Sequence, residues 1–435
     1  MKKLNTSPIS GMLELLPSEQ SAFNKMKNNI GEVFRKHGFL NIETPVIDRT
    51  EILLAKAGGE TEKQIYKVIK TEETLDDADQ ALRFDHTVPL ARYVVEHENN
   101  LTFPFKVFQV GRNYRGERAQ KGRFREFYQL DIDVVGRNTL SVNYDSEVIA
   151  TLFSALETLG LPKKLVRISN RKILSGFLEE LNLNHLSAEI FSIIDHAEKV
   201  PESVTREKLE GLGLGEENVA RVIAFIEISG SLEEALLKLN EFNFRSEKFN
   251  EGINELTLVF KRLEEKGLGD SIMADMKIVR GLDYYTGTVF ETVLPDYKEI
   301  GSICSGGRYD NLAGFYTDQV LPGVGGSIGL TRLFSVLKEA KLLNAVVEKP
   351  VELALIPFSE NEIRFADKLA KELRAEGRIV DLVLAEKKLG DKFSYAGKIA
   401  KFAAVIGGNE IKTGKVFVKN LESGEQSSLD EFRKK

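Results

Sequence analysis

The chain has 435 residues, 42% of them hydrophobic, and a net charge of −6 from 60 Lys and Arg against 66 Asp and Glu. This composition excludes wholesale disorder and collagen-like structure, and at roughly 100–200 residues per domain it predicts two to four domains. The lone cysteine, Cys304, excludes an internal disulfide and a cysteine-based zinc site and fits a reducing compartment, while the acidic balance, taken alone, argues mildly against a polyanionic partner.

In chain order, the opening MKKLNTSPISGMLELLPSEQ has two lysines with no apolar run behind them, and no stretch of about 18 apolar residues follows anywhere. A cytoplasmic chain that neither crosses nor enters a membrane is expected. Residues 18–37 read as a helix, with Phe23, Met26, Ile30, Val33 and Phe34 at helical spacing, Ser18 as cap, Pro17 just outside and Gly38 as stop. The β-rich run FLNIETPVID comes next. Pro45 within it cannot donate to a sheet ladder and belongs at an edge or interface.

Phe105 to Val135 reads as two strands joined by a basic loop, GERAQKGR. The second strand alternates: Phe124, Tyr128, Leu130, Ile132 and Val134 on one face, Arg125, Phe127, Gln129, Asp131 and Asp133 on the other. From Lys106 to Arg125 there are seven Lys or Arg and one acid, Glu117, a composition suited to clamping phosphate. Residues about 171–270 are helical in pattern, with turns around GLGLG, and read as an inserted subdomain. β patterning resumes at MKIVRGLDYYTGTVFETVL and ICSGGRYDNLAGFY. The glycine-rich PGVGGSIGL then runs into an amphipathic helix, TRLFSVLKEAKLL. Strands and helices are mixed and hairpins dominate, so the main domain, 1–343, is expected to be α+β with an antiparallel sheet. After a linker at 344–350, residues 351–435 alternate β and α as a small α/β domain. It holds 16 cations against 14 acids, leaving −8 for the rest.

Neither GxxxxGK[ST] nor GxGxxG occurs, which demotes P-loop and Rossmann readings. Cys304 is best explained as a small residue packed near a turn, and the histidines at 37, 86, 97, 185 and 196, lacking metal-ligand spacing, as surface or satisfied core residues. The arginines are more informative. Arg112, Arg115, Arg123, Arg280 and Arg332 each lie beside glycine or at the end of an element, where a backbone can approach a ligand. Arg332 also falls in the first turn of its helix, where main-chain N–H groups favour an anion. Several arginines without a nucleophile suit phosphoryl or nucleotidyl transfer, where catalysis is mostly positioning and charge stabilisation.

The segments FQVGRNYRGERAQKGRFREFYQ, VRGLDYYTGTVFE and SGGRYD, with GVGGSIGLTRL behind them, resemble the histidyl-tRNA synthetases, a family of class II aminoacyl-tRNA synthetases. The resemblance spans essentially the whole chain. The helix, strand and Pro45 look like motif 1, residues 105–135 like motif 2 and residues 323–343 like motif 3, while RGLDYYTG and GGRYD are specific to the histidine enzymes. It implies a class II catalytic domain, a C-terminal anticodon-binding domain, and a ligase that uses ATP with Mg2+ to form histidyl-adenylate and charge tRNA(His). Motif 1 implies a homodimer.

Carried over by matching position, Arg115 and Arg280 hold the α-phosphate and stabilise its transition state. Arg123 and Arg332 grip the distal phosphates, Glu117 contacts adenine or a magnesium-bound region, and Phe127 stacks on adenine. Histidine is bound by Asp85 and Thr87 at its amino group, by Gln129, Asp133 and Arg280, and by Tyr285 and Tyr309 near the imidazole. Gln120, in AQKGR, is a tRNA contact. No protein-caged metal is implied. The chain departs from the commoner bacterial pattern at Asp85 and Asp133, where glutamate is usual, and at Thr331, where an acid is common. Rival readings are a regulatory relative serving the first enzyme of histidine biosynthesis, an eroded synthetase-like domain that binds RNA, and another class II synthetase.

Overall fold

The computed structural model describes residues 4–55, 59–72, 74, 78–120, 122–279, 284–343 and 349–434. The chain divides into two compact units, Met1–Leu13 with Met26–Leu343, and Glu14–Lys25 with Asn344–Lys435. No helix among the described residues is long and apolar enough to cross a membrane.

Helix Pro17–Lys36 begins on Pro17 itself, one residue before the expected start. Proline suits that place because its missing N–H would be unsatisfied there anyway. The helix ends where expected: Gly38 takes φ +79° and the Phe39 N–H returns to the Phe34 carbonyl at 3.1 Å, a left-handed glycine cap.

The strands of the first unit are β1 (Leu40–Asn41), β2 (Ile47–Arg49), β3 (Lys67–Val68), β4 (Gln80–Leu82), β5 (Phe105–Tyr114), β6 (Glu126–Val135), β7 (Leu165–Asn170), β8 (Ser229–Gly230), β9 (Ile272–Asp275), β10 (Thr288–Val293), β11 (Cys304–Tyr309) and β12 (Gly323–Gly329). Among the described residues nine of them form one sheet in the order β1-β5-β6-β12-β11-β10-β7-β9-β8, and β2-β4-β3 form a small second one. Pro45 lies between β1 and β2, which belong to different sheets. The expected antiparallel pattern holds from β5 to β7, but β1 runs parallel to β5 and β9 parallel to β7.

Register determines what the two faces of this sheet do. Glu291, Ser305, Ser327, Asp131 and Gln109 are successive cross-strand partners on β10, β11, β12, β6 and β5, so they share one face as a polar row. One residue along, Phe290, Ile132 and Phe108 lie on the opposite face and are fully buried. Helix Asn143–Glu157 packs against β6, β11 and β12 and supplies buried Val148, Ile149, Leu152 and Leu156. The sheet therefore has an apolar underside and a polar upper face.

The helices between Arg171 and Glu265 are not isolated from this sheet. Helix Glu247–Glu265 packs on Asn143–Glu157, Arg171–Glu180 and β7, and β8 pairs with β9 at the sheet's edge. An aromatic cluster holds the region together, with Phe177 and Phe225 rings 4.5 Å apart and Phe242, Phe244 and Phe249 around them.

The second unit contains β13 (Val351–Pro357), β14 (Val380–Leu382), β15 (Ala400–Ile406), β16 (Phe417–Asn420) and β17 (Gln426–Ser428), ordered β14-β13-β15-β16-β17. Alternation along β13 splits its side chains between two cores. Leu353 and Leu355 join Leu369, Leu373, Val418 and Phe432, whereas Ala354 and Ile356 join Val383, Ala396 and Ala403. Covering both faces is what a parallel core requires. Helices Gly408–Thr413 and Leu429–Arg433 and strand β17 are additional to the alternation read from the sequence.

Candidate active site

Two cavities open on the polar face of the main sheet and share Arg115, Arg123, Gln129, Glu291, Ser305 and Ser327 in their walls. The larger, of about 800 Å³, is lined by Asp85, Thr87, Arg115, Arg123, Gln129, Asp133, Tyr285 and Tyr309 among others. The smaller, of about 400 Å³, is lined by Arg115, Glu117, Arg123, Phe124, Phe127 and Arg332 among others. Every expected amino-acid residue among the described ones lines the first cavity, and every expected ATP residue lines the second. Arg280 lies outside the described residues. Gln120 lines neither cavity; it is exposed in the β5–β6 connection, in a tight turn where the Arg123 N–H reaches the Gln120 carbonyl at 2.8 Å.

At the end of the larger cavity the Tyr309 hydroxyl donates to Asp133 Oδ1 at 2.9 Å, and both side chains are 3% exposed. Burial, reinforced by neighbouring Asp131, holds the Asp133 carboxyl well above the usual carboxylate range, against the lowering effect of Tyr309. Glycines in β12 make room for this pair. A Cβ at Gly325 would stand 2.0 Å from Asp133 Oδ1, and one at Gly323 would stand 2.3 Å from the Tyr309 ring. The glycine run PGVGG is thus explained by close approach.

Asp85 is raised by burial, while the Val88 N–H that it accepts at 3.0 Å and nearby Arg115 pull it back. That bond also satisfies a main-chain N–H in the first turn of helix Thr87–His97. Arg115 sits between rings, its guanidinium carbon 4.3 Å from the centroid of Phe84 and 5.1 Å from that of Phe127. Burial lowers its pKa, and Asp85 and Glu117 oppose the loss. Glu117 pairs with Arg123 at 3.2 Å, and Arg332 donates to the Ile300 carbonyl at 2.9 Å. The two cavities together present several guanidinium groups beside a polar, carboxylate-bearing pocket. That arrangement can hold a polyphosphate against a small zwitterion.

The family model described as "Histidyl-tRNA synthetase" matches residues 11–333. The chain belongs to the histidyl-tRNA synthetase family. A model described as "Anticodon binding domain" matches residues 352–435. The chain is 45% identical over 433 residues to the histidine–tRNA ligase of Clostridium tetani, covering 99% of this chain and 97% of that one. It is 43% identical to that of Clostridium acetobutylicum, with 98% of each covered. The crystal structure of histidyl-tRNA synthetase from Nostoc sp. PCC 7120 superposes with a TM-score of 0.89 at 38% identity over 99% of both chains. Thr331 is buried, and its hydroxyl accepts the Tyr128 N–H at 2.8 Å.

Sequence reasoning named one arginine too many and missed several partners. Arg112 is opposite Tyr128, so it shares that residue's face, is half exposed and lies 3.5 Å from Glu126. Asn113, one residue on, faces the site and donates to Gln129 Oε1 at 2.6 Å. Parity would have told them apart, since a one-residue step flips the face. His86 was grouped with unremarkable histidines, yet it is fully buried, meets Asp131 Oδ2 through Nδ1 at 2.8 Å, and its Nε2 has no hydrogen-bond partner among the described residues. Arg171 was also missed; it lines the larger cavity and donates to the carbonyls of Tyr285 at 2.8 Å and Val279 at 3.1 Å. Cys304 opens strand β11 just after a bend and also borders the smaller cavity; burial pushes its thiol pKa up.

Proposed function

We infer that the chain is a histidine–tRNA ligase whose larger cavity takes histidine and whose smaller one takes ATP. A carboxylate oxygen of histidine attacks the α-phosphorus, an O–P bond forms, and the bond to pyrophosphate breaks. The 3′-terminal adenosine of tRNA(His) then displaces AMP from the histidyl carbonyl. The observation that supports this reading most is Arg115, which lines both cavities and is therefore available where the carboxylate and the α-phosphate must meet. Charge builds on the phosphoryl oxygens in the transition state, and a preorganised guanidinium stabilises it without reorganising. Arg280 is proposed for the same duty from the sequence resemblance. Arg123 and Arg332 are proposed for the distal phosphates, Phe127 for stacking on adenine and Glu117 for the adenine side.

Asp133 and Tyr309 are proposed to meet the imidazole, with Tyr285 beside them, and Asp85 and Thr87 to meet the amino group. A side chain that cannot bond this pair would leave buried polar groups unpaired, a loss that can discriminate by roughly 10⁴–10⁵. Glu117 and Glu291 are carboxylates on the wall of the smaller cavity, which fits Mg2+ held by one or two carboxylates together with substrate phosphates. Bound there, Mg2+ would neutralise phosphate charge. We further propose Gln120 as a contact to the tRNA acceptor end, residues 351–435 as the anticodon reader, a homodimer built on motif 1, and a cytoplasmic location.

The mild case against a polyanion from the net charge does not survive the family assignment. Net charge averages over the chain, whereas seven cations and one acid fall between Lys106 and Arg125. Arg115→Ala tests the core of the reading: histidine-dependent ATP–pyrophosphate exchange should fall by about 10²–10³ in kcat. Near-normal exchange would remove Arg115 from the reaction.

A further inference from the structure

Beneath the amino-acid cavity a chain of hydrogen bonds runs from a buried histidine to the cavity wall. His86 Nδ1 meets Asp131 Oδ2 at 2.8 Å. Asp131 Oδ1 accepts the hydroxyl of Ser327, Ser327 Oγ accepts from Gln129 Nε2 at 2.7 Å, and Gln129 Oε1 accepts from Asn113 Nδ2 at 2.6 Å. His86 and Asp131 are 0% and 5% exposed, while Gln129 and Ser327 line both cavities. The carbonyl of His86 is itself held, by Gln109 Nε2 at 3.2 Å.

The direction of every hydrogen follows from the carboxylate. A carboxylate is acceptor-only, so the imidazole donates from Nδ1 to Asp131 Oδ2 and the Ser327 hydrogen points at Oδ1. Ser327 is then left with lone pairs, and these select the amide nitrogen of Gln129 over its oxygen. The oxygen turns to Asn113. Gln129 is thereby locked with one remaining N–H to offer an acceptor atom in the cavity. Without the carboxylate held in place, the hydroxyl could turn and the carboxamide could flip, presenting an oxygen where a donor is needed.

The environment of His86 leaves little else for it to do. Its Nε2 and Arg83 Nη2 both crowd the space above Gly111, 3.1 Å and 2.3 Å from where a Cβ there would stand. Arg83 is itself committed to the Arg112 carbonyl at 2.9 Å and the Thr44 carbonyl at 2.7 Å. A cation on that side suits an imidazole that turns a lone pair toward it and donates from Nδ1 to Asp131.

We propose that His86 is a positioning residue for amino-acid recognition: through Asp131 and Ser327 it sets the Gln129 carboxamide with its N–H toward the substrate. The proposal rests on the reading of Gln129 as an amino-acid contact. Three variants separate the two ideas by ATP–pyrophosphate exchange, with KM measured for histidine and for ATP and active sites counted by burst amplitude. Gln129→Ala must raise the KM for histidine; if it does not, the assignment of Gln129 fails irrespective of the relay. Given that rise, His86→Leu should raise the same KM by about tenfold, the scale of one lost buried hydrogen bond, with the KM for ATP unchanged. His86→Asn, whose amide nitrogen can stand near the place of Nδ1, should recover most of it. Ser327→Ala, on another strand, should reproduce the histidine-selective effect and carries the test if His86→Leu does not fold. A damaged fold would instead reduce burst amplitude while leaving both KM values alone. An unchanged KM for histidine in variants with full burst amplitude, or parallel rises for histidine and ATP, would overturn the proposal.

Discussion

Tyr309→Phe isolates one bond in the proposed imidazole pocket. The phenyl ring keeps its place over Gly323, so the change removes only the hydroxyl that donates to Asp133 Oδ1 at 2.9 Å. Both groups are 3% exposed, so no bulk water replaces the donor. A hydrogen bond to a charged group contributes about 1.5–3 kcal/mol, and each 1.36 kcal/mol is tenfold, which gives a loss of about 10- to 150-fold. The bond to Tyr309 also opposes the upward shift of Asp133. Removing it should raise that carboxyl further and move the acid limb of histidine activation to higher pH. The assay is histidine-dependent ATP–pyrophosphate exchange across pH, with the KM for each substrate. The expected result is a histidine KM raised by that factor, an unchanged ATP KM and the alkaline displacement. A histidine KM within about twofold of the parent would mean that the Tyr309–Asp133 bond is worth less than a buried charged contact and does not serve histidine binding.

Asp133→Asn should trade activity for stability. The native carboxyl is raised above its ordinary value by burial, so at pH values between the unfolded and folded pKa the folded state holds a proton that the unfolded state has released. Stability is therefore lost as pH rises from the ordinary carboxylate range through the folded-state pKa. Asparagine has no such loss, and urea titration at pH 7 should find the variant at least as stable as the parent, with any difference shrinking as pH falls. A difference that grows toward acid contradicts the sign. Asp145→Ala should do the reverse. Asp145 is fully buried and bonds Arg308 at 2.7 Å, and removing one partner of a buried pair costs about 3–5 kcal/mol; an unchanged urea midpoint would show that the pair carries no such load.

Much of this architecture is legible in the chain because its signals are local and periodic. The hairpin Phe105–Val135, the Gly38 stop and the strand-to-helix run at Arg332 follow from alternation, a turn glycine and amphipathicity. What was not legible depends on pairs distant in sequence. His86 acquires its meaning from Asp131, and Asp131 from Ser327, 196 residues farther on. Thr331 reads as a departure until its hydroxyl is seen taking the Tyr128 N–H. The glycines of β12 read in sequence only as a glycine-rich run into a helix and prove to be space for Asp133 and Tyr309. Arg112 is the instructive error: adjacency to glycine and positive charge suggested a phosphate contact, but strand parity assigns it to the other face.

The pocket is proposed to activate histidine and no other amino acid. The most direct measurement is ATP–pyrophosphate exchange by the full chain with each proteinogenic amino acid in turn, at saturating ATP and Mg2+. Exchange is expected with histidine and background with the rest; no exchange with histidine, or comparable exchange with a second amino acid, would mean that the pocket does not select histidine.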